Sequence, residues 1–235
     1  MKDRIIWGFL AATLLIIVLL SDSLFINIAY LFITVVAILE LYNLILKRRD
    51  VTRFLLFVLA SVFIASCFYT ILLLRMQNDI GHIIVWFAFA GAFLTDTFAY
   101  IFGMWIGQKR KHFIFPNISP KKTFEGVIGG IVGVTVMFYL WGIVGNLIFS
   151  KFLNGQFSYE FNIVNLVILG FLCGFVAQGG DLLASLLKRK FRAKDFGSIL
   201  PGHGGILDRC DSLMLTGPFV LLFNTLFPVI FFSIV

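Results

Sequence analysis

Long apolar blocks separated by short polar loops run the whole length of the chain. Seven blocks stand out, at residues 5–20, 24–46, 54–74, 83–106, 127–149, 162–185 and 213–234. Six of them exceed the ~18 residues that mark a membrane-spanning helix. The pattern predicts an all-α, polytopic membrane bundle of about seven transmembrane helices. Almost nothing remains for a soluble domain, so residues 1–235 read as one membrane domain. Within it, residues 1–80 supply the N-terminal spans, and residues 81–235 hold most of the polar chemistry.

The first block has a basic start (Lys2, Arg4) like a signal peptide. The following "LLSDSLF" lacks a small-x-small cleavage site and runs into the second block, which predicts a retained helix. Composition agrees with the block pattern. The chain is 60% hydrophobic and 13% charged, whereas soluble domains carry about 25% charged residues.

Charge then orients the bundle. With seven spans, seventeen of the nineteen basic residues fall on one side, and only Arg75 and Lys151 on the other. The positive-inside rule predicts a cytoplasmic N-terminus, three basic cytoplasmic loops and an outside C-terminus. The net charge of +7 therefore concentrates on one face. Such a face suits anionic headgroups or a polyanionic cytosolic substrate. Nucleic acid is a poor fit, because no basic domain stands clear of the membrane. Cys67 and Cys173 sit in apolar blocks, and Cys210 lies on the reducing side, so no disulfide is expected.

Acidic residues inside apolar blocks carry the chemical information, since each is expensive to insert. Asp96 and Asp181 fall in the cytoplasmic halves of their blocks, and Asp208 and Asp211 precede the last block. Four carboxylates are thus expected at one depth. At helical spacing, Gln178, Asp181, Ser185 and Lys188 share one stripe, which must face protein or a wet cavity. Asp208 and Asp211 share a face if a helix begins near Ile206. Each carboxylate could be neutralised by a neighbouring Lys or Arg. Alternatively the group could hold a hard divalent cation, Mg²⁺ above all, since converging carboxylates otherwise raise one another's pKa. Asp96 is the weaker candidate of the four.

Two loops add glycine and positive charge. In "GQKRKHFIFPNISPKKTFEG", Ser119-Pro120 reads as a helix start with Lys121, Lys122 and Thr123 in its first turn. Lysines there suit a bound phosphate, but a solvated basic loop that only fixes topology would also explain them. In "PGHGGILDRCD", Gly204 and Gly205 would let backbone N–H groups approach an anion. The glycines at 103, 107, 126, 129, 130 and 133 read as helix-packing positions.

The run "SLLKRKFRAKDFGSILPGHGGILDRCD", from Ser185 to Asp211, closely resembles the signature of phosphatidate cytidylyltransferases, also called CDP-diacylglycerol synthases. Matching positions are Ser185, Lys188, Arg189, Lys194, Asp195, Gly197, Leu200, Pro201, His203, Gly204, Gly205, Asp208, Arg209 and Asp211. "SPKKTFEG" and the "DTFAY" around Asp96 are similar to further motifs of that family, and together these cover roughly the C-terminal 60% of the chain. Cys210, Met104 and Gln108 depart from the family pattern, and the chain is short for it.

The resemblance implies that CTP and phosphatidic acid become CDP-diacylglycerol and pyrophosphate, with Mg²⁺ as cofactor, at the cytoplasmic face of a bacterial-type inner membrane. It places metal and catalysis on Asp181, Asp208 and Asp211, with Lys188 and Arg209 as catalytic cations. It places substrate binding on Asp96, Ser119, Lys121, Lys122, Thr123, Glu125, Ser185, Arg189, Lys194, His203, Gly204 and Gly205. Membrane lipids surround the protein, and a homodimer is compatible with the family. Two rival activities would use similar polar groups. A CTP-dependent lipid kinase would release CDP in place of pyrophosphate. An anion or lipid transporter would need a polar path through the outer halves of the spans, which carry almost no charge.

Overall fold

The computed structural model describes residues 13, 16–21, 23–46, 50–76, 81–110, 112–152, 157–199 and 204–234. Most of the first block and His203 lie outside these residues, so the expectations for them do too. Described residues 16–20 of the first block are helical.

The described chain is a helical bundle built from six helices of more than one or two turns. They are α1 (Ser23–Ile45), α2 (Val51–Arg75), α3 (Gly81–Phe102), α4 (Phe124–Phe152), α5 (Ile163–Lys190) and α6 (Leu213–Leu226). Five apolar helical stretches are long enough to cross a membrane: Leu24–Ile45, Val51–Arg75, Gly81–Arg110, Phe124–Ile148 and Ile163–Lys190. The third runs from α3 through a π-helical turn, Gly103–Gly107, into the single turn Gln108–Arg110. These five helices match the second to sixth blocks of the sequence.

Helix α4 packs along both α3 and α5, and α6 lies against α2, α3 and α5. Small residues set the closeness of the first two contacts. Gly129 and Gly133 on α4 receive the rings of Phe102 and Phe98, and a Cβ at Gly126 would fall 2.8 Å from the Ala99 carbonyl oxygen. Lipid tails give helices little hydrophobic reason to associate, so close backbone approach of this kind is what holds them together. Phe87 centres the main core, with the rings of Phe138 and Trp141 at 5.2 and 5.0 Å. A second core joins Leu41 and Ile45 of α1 to Ile64 and Phe68 of α2 and to Leu207.

Two small antiparallel sheets depart from the all-helical expectation without changing the class. In the basic loop, β1 (Phe113–Phe115) pairs with β2 (Ser119–Thr123). The segment expected to open a helix at Ser119-Pro120 is therefore extended, and α4 starts at Phe124. A residue before proline is driven out of the helical region, and pairing with β1 then fixes the extended form. The helix cap is Thr123, whose Oγ1 accepts the Gly126 N–H at 3.3 Å.

The last block also differs from its reading as a full-length seventh transmembrane helix. Helix α6 has 14 residues, about 21 Å against a hydrocarbon core of about 30 Å. The chain then turns at Phe227–Val229 and forms β4 (Ile230–Ile234), paired with β3 (Phe157–Phe161). Asn224 Oδ1 accepts the Val229 N–H at 3.2 Å, and the Asn165 amide donates to the Pro228 carbonyl at 2.7 Å. A continuous apolar run does not distinguish strand from helix by its period; Pro228 is the breaker that divides it. This sheet adjoins the start of α5, so it lies about 42 Å along that helix from Lys190.

Candidate active site

Helix α5 carries the expected stripe, and protein covers all of it but the half-buried Asp181. Gln178, Ser185 and Lys188 are buried, while Leu183 and Leu186 face outward. Gln178 donates through Nε2 to the Val127 carbonyl of α4 at 2.9 Å, which fixes the rotation of α5 against α4. Gly180, beside Asp181, brings the two chain segments together. A Cβ there would fall 2.6 Å from the Asp211 carbonyl oxygen.

Two lysines divide the carboxylates between them. Lys122 reaches from β2 to donate to Asp181 Oδ2 at 2.9 Å and to the Gln178 carbonyl at 3.2 Å. Lys188 donates to Asp208 Oδ1 at 2.8 Å and stands 4.0 Å from Asp211 Oδ2. Asp208 and Asp211 do not open a helix, as a start near Ile206 would require. Asp208 sits within a 3₁₀ turn, Leu207–Arg209, and Asp211 lies two residues beyond it. Both acids still reach the same ammonium group.

The four acids have different surroundings. Asp208 is enclosed: its Oδ2 accepts the N–H groups of Phe196 at 2.8 Å and Gly205 at 3.0 Å. Asp211 Oδ1 accepts the Ser212 N–H at 2.9 Å, and the Ser212 hydroxyl donates to Asp96 Oδ2 at 2.8 Å. Asp96 thus joins the cluster through Ser212. Burial pushes the Asp211 carboxyl up to about 7, with Asp181 and Asp96 adding to the rise and Lys188 opposing it. Asp181 is the most open of the ion-paired acids, with 30% of its side chain exposed.

The remaining expected residues form a surround of varied character. Lys121, Arg189, Lys194 and Arg209 are exposed. Arg189 is anchored by donating through Nε to the Ile118 carbonyl at 3.1 Å and through Nη1 to the Ala193 carbonyl at 3.0 Å. Ser119 is half-buried on β2. Thr123 is buried and serves as the α4 cap described above. Glu125 meets His112 Nδ1 at 2.7 Å, while its Oε2 is buried without a hydrogen-bond partner. Gly204 has φ +83°, a conformation that favours glycine, and leads the chain into the bond to Asp208. Cys210 is half-buried against both cores, and desolvation there pushes its thiol up to about 12.

Two residues beyond those expected take part. Ser212 links Asp96 to Asp211, and Glu40 of α1 binds the loop ahead of Asp208. A lone acid in the apolar run "AILELYN" was the available signal for Glu40. Nothing local marks Ser212.

A family model described as the cytidylyltransferase family matches residues 4–227. The chain belongs to the cytidylyltransferase family. Among relatives in this family, phosphatidate cytidylyltransferase of Bacillus subtilis (strain 168) is 34% identical over 169 residues, 72% of this chain and 57% of that protein. The namesake from Rickettsia bellii is 31% identical over 194 residues, covering 82% of this chain and 80% of its own. That of Staphylococcus haemolyticus is 41% identical over 147 residues, 60% of this chain and 48% of its own. The match thus spans about half the length of the Bacillus and Staphylococcus proteins. At one end of its apolar helices the chain thus gathers four carboxylates with the half-buried Lys122 and the buried Lys188.

Proposed function

We propose that this chain transfers the cytidylyl group of CTP to phosphatidic acid, giving CDP-diacylglycerol and pyrophosphate, at the cytoplasmic face of the membrane. The observation that carries this reading is the pairing of Lys122 with Asp181, and of Lys188 with Asp208 and Asp211, at one end of the bundle. The relatives named phosphatidate cytidylyltransferase support it. In this reaction an oxygen of the lipid phosphate attacks the α-phosphorus of CTP. A P–O bond forms there as the bond to pyrophosphate breaks. The attacking oxygen is already ionised, so no protein nucleophile is required, and catalysis consists of positioning and charge neutralisation.

The donor set fits Mg²⁺, which favours one or two carboxylates plus substrate phosphates over an all-protein cage. Among the described residues, no three Asp, Glu, His or Cys side chains gather closely enough to enclose an ion by themselves. Asp181 and Asp211 are the residues that would hold it, with Asp96 behind them through Ser212. Bound Mg²⁺ would screen the two substrates' phosphates from each other and stabilise charge on pyrophosphate. Asp208, with both oxygens engaged, orients Lys188 and closes the loop. Lys122 and Lys188 neutralise phosphate charge inside the site, and Lys121, Arg189, Lys194 and Arg209 extend that charge outward. Purified chain given phosphatidic acid, labelled CTP and Mg²⁺ should move label into the lipid phase with equimolar pyrophosphate. Release of CDP with a phosphorylated lipid, or no labelled lipid at all, would overturn the reading.

A further inference from the structure

Helix α1 runs from Ser23 to Ile45 with a single ionisable acid or base, Glu40. Its residue is 3% exposed. A carboxylate at such a position is costly to bury and calls for specific partners. Glu40 has them: Oε1 accepts the Ile206 N–H at 2.9 Å, and Oε2 accepts the Leu207 N–H at 2.9 Å. Among the described residues it forms no ion pair, so these two backbone groups are its hydrogen-bond partners.

The loop is shaped to receive that carboxylate. A Cβ on Gly197 would fall 2.6 Å from Glu40 Oε1, and a Cβ on Gly205 would press on both oxygens. Two glycines of the signature run therefore sit where α1 enters the loop. Leu207, fully buried, packs with Ala37, Leu41 and Ile45 of the same helix. Three consecutive N–H groups, of Gly205, Ile206 and Leu207, are thus held by acids. Asp208 takes the first, and Glu40 takes the next two. The residues that follow are Asp208, which grips Lys188, and Asp211.

We propose that Glu40 is a positioning residue: it clamps the 204–211 loop from the N-terminal half of the chain and so places Lys188, Asp208 and Asp211. Helix α1 is then part of the reaction machinery and not only a membrane anchor. The catalytic consequence rests on the activity proposed above; the clamp itself does not.

Glu40→Gln tests the clamp with little change in size. One oxygen still accepts, but the amide NH₂ now faces the second N–H. The full chain in lipid nanodiscs is compared with this variant by hydrogen exchange at Ile206 and Leu207, by CTP-binding stoichiometry, and by turnover per CTP site. Exchange at the amide left facing the NH₂ group, Ile206 or Leu207, should accelerate at least tenfold. Turnover per site should fall at least tenfold while the number of CTP sites per chain stays at the wild-type value. A merely structural role would lower the number of sites and leave turnover per site intact, and that result overturns the proposal. Unchanged exchange overturns it equally. Should Glu40→Gln fail to accumulate, Gly205→Ala, which displaces the carboxylate without removing it, is read by the same criteria. A wild-type chain that binds CTP but transfers no cytidylyl group would count against the proposed reaction. The exchange result alone would then decide the clamp.

Discussion

Lys122 Nζ lies 2.9 Å from Asp181 Oδ2, tying the strand ahead of α4 to the polar stripe of α5. The pair exists because "SPKKT" is extended. Successive side chains of a strand point to opposite faces, so Lys122 turns inward while Lys121 is exposed. The two lysines are therefore expected to differ. Losing a charge-assisted hydrogen bond of ~1.5–3 kcal/mol corresponds to roughly 10–100-fold in rate or affinity. Lys122→Gln should lower kcat/KM for CTP by about that factor, and Lys121→Gln by much less. Steady-state kinetics at matched levels of inserted protein decide it, and equal losses for both would remove the inward lysine from the site.

Asp181 and Asp211 are the sharpest test of the proposed metal-assisted chemistry. Asn keeps the size and one acceptor oxygen but removes the charge. Asp181→Asn or Asp211→Asn should abolish cytidylyl transfer in correctly inserted protein, and raising Mg²⁺ should restore little. Treating wild type with a chelator should stop transfer, and added Mg²⁺ should return it. Near-normal turnover in both variants would end the assignment.

The parts of this picture legible in the sequence are those with a local period or composition. Gln178, Asp181, Ser185 and Lys188 lie on one turn-by-turn stripe, so their common face could be read from spacing alone. The middle five blocks were legible because their length and apolarity leave few alternatives to a helix. Pairing between distant segments was not. Ser212 meets Asp96 across 116 residues, and Glu40 meets Ile206 across 166; no periodicity encodes either. Residues 213–234 misled for another reason. Uniformly apolar sequence carries no phase, so β4 looked like the outer half of a helix until its pairing with β3 supplied the missing information.

That pairing has a topological consequence. Phe161 opposite Ile230 holds the connection between α4 and α5 next to the C-terminal strand. The two must lie on the same side of the membrane. Positive-inside asymmetry predicts that this side is the exterior. A reporter active only in the cytoplasm, fused after Val235, should stay silent, and one inserted between Gly155 and Gln156 should stay silent too. Opposite signals from the two fusions would break the β3–β4 pairing, while two strong signals would invert the bundle.

Asp208 should separate stability from chemistry. Its side chain is 5% exposed, that of Lys188 11%, and they meet at 2.8 Å. Breaking a buried pair by removing one partner costs about 3–5 kcal/mol, because the other charge is left uncompensated. Asp211, 4.0 Å from the same ammonium, remains as a weaker partner, which places Asp208→Asn near the lower end, about 3 kcal/mol. The variant also sets an NH₂ group against either Lys188 or the N–H groups of Phe196 and Gly205, adding a donor where only acceptors fit. Asp181 is more open and should cost activity with little loss of stability. Thermal unfolding of the two variants in the same detergent should therefore show a large downward shift for Asp208→Asn and a small one for Asp181→Asn. A wild-type melting point for Asp208→Asn would mean that the loop does not depend on this carboxylate, and Asp208 would then rejoin Asp181 and Asp211 as a candidate metal ligand.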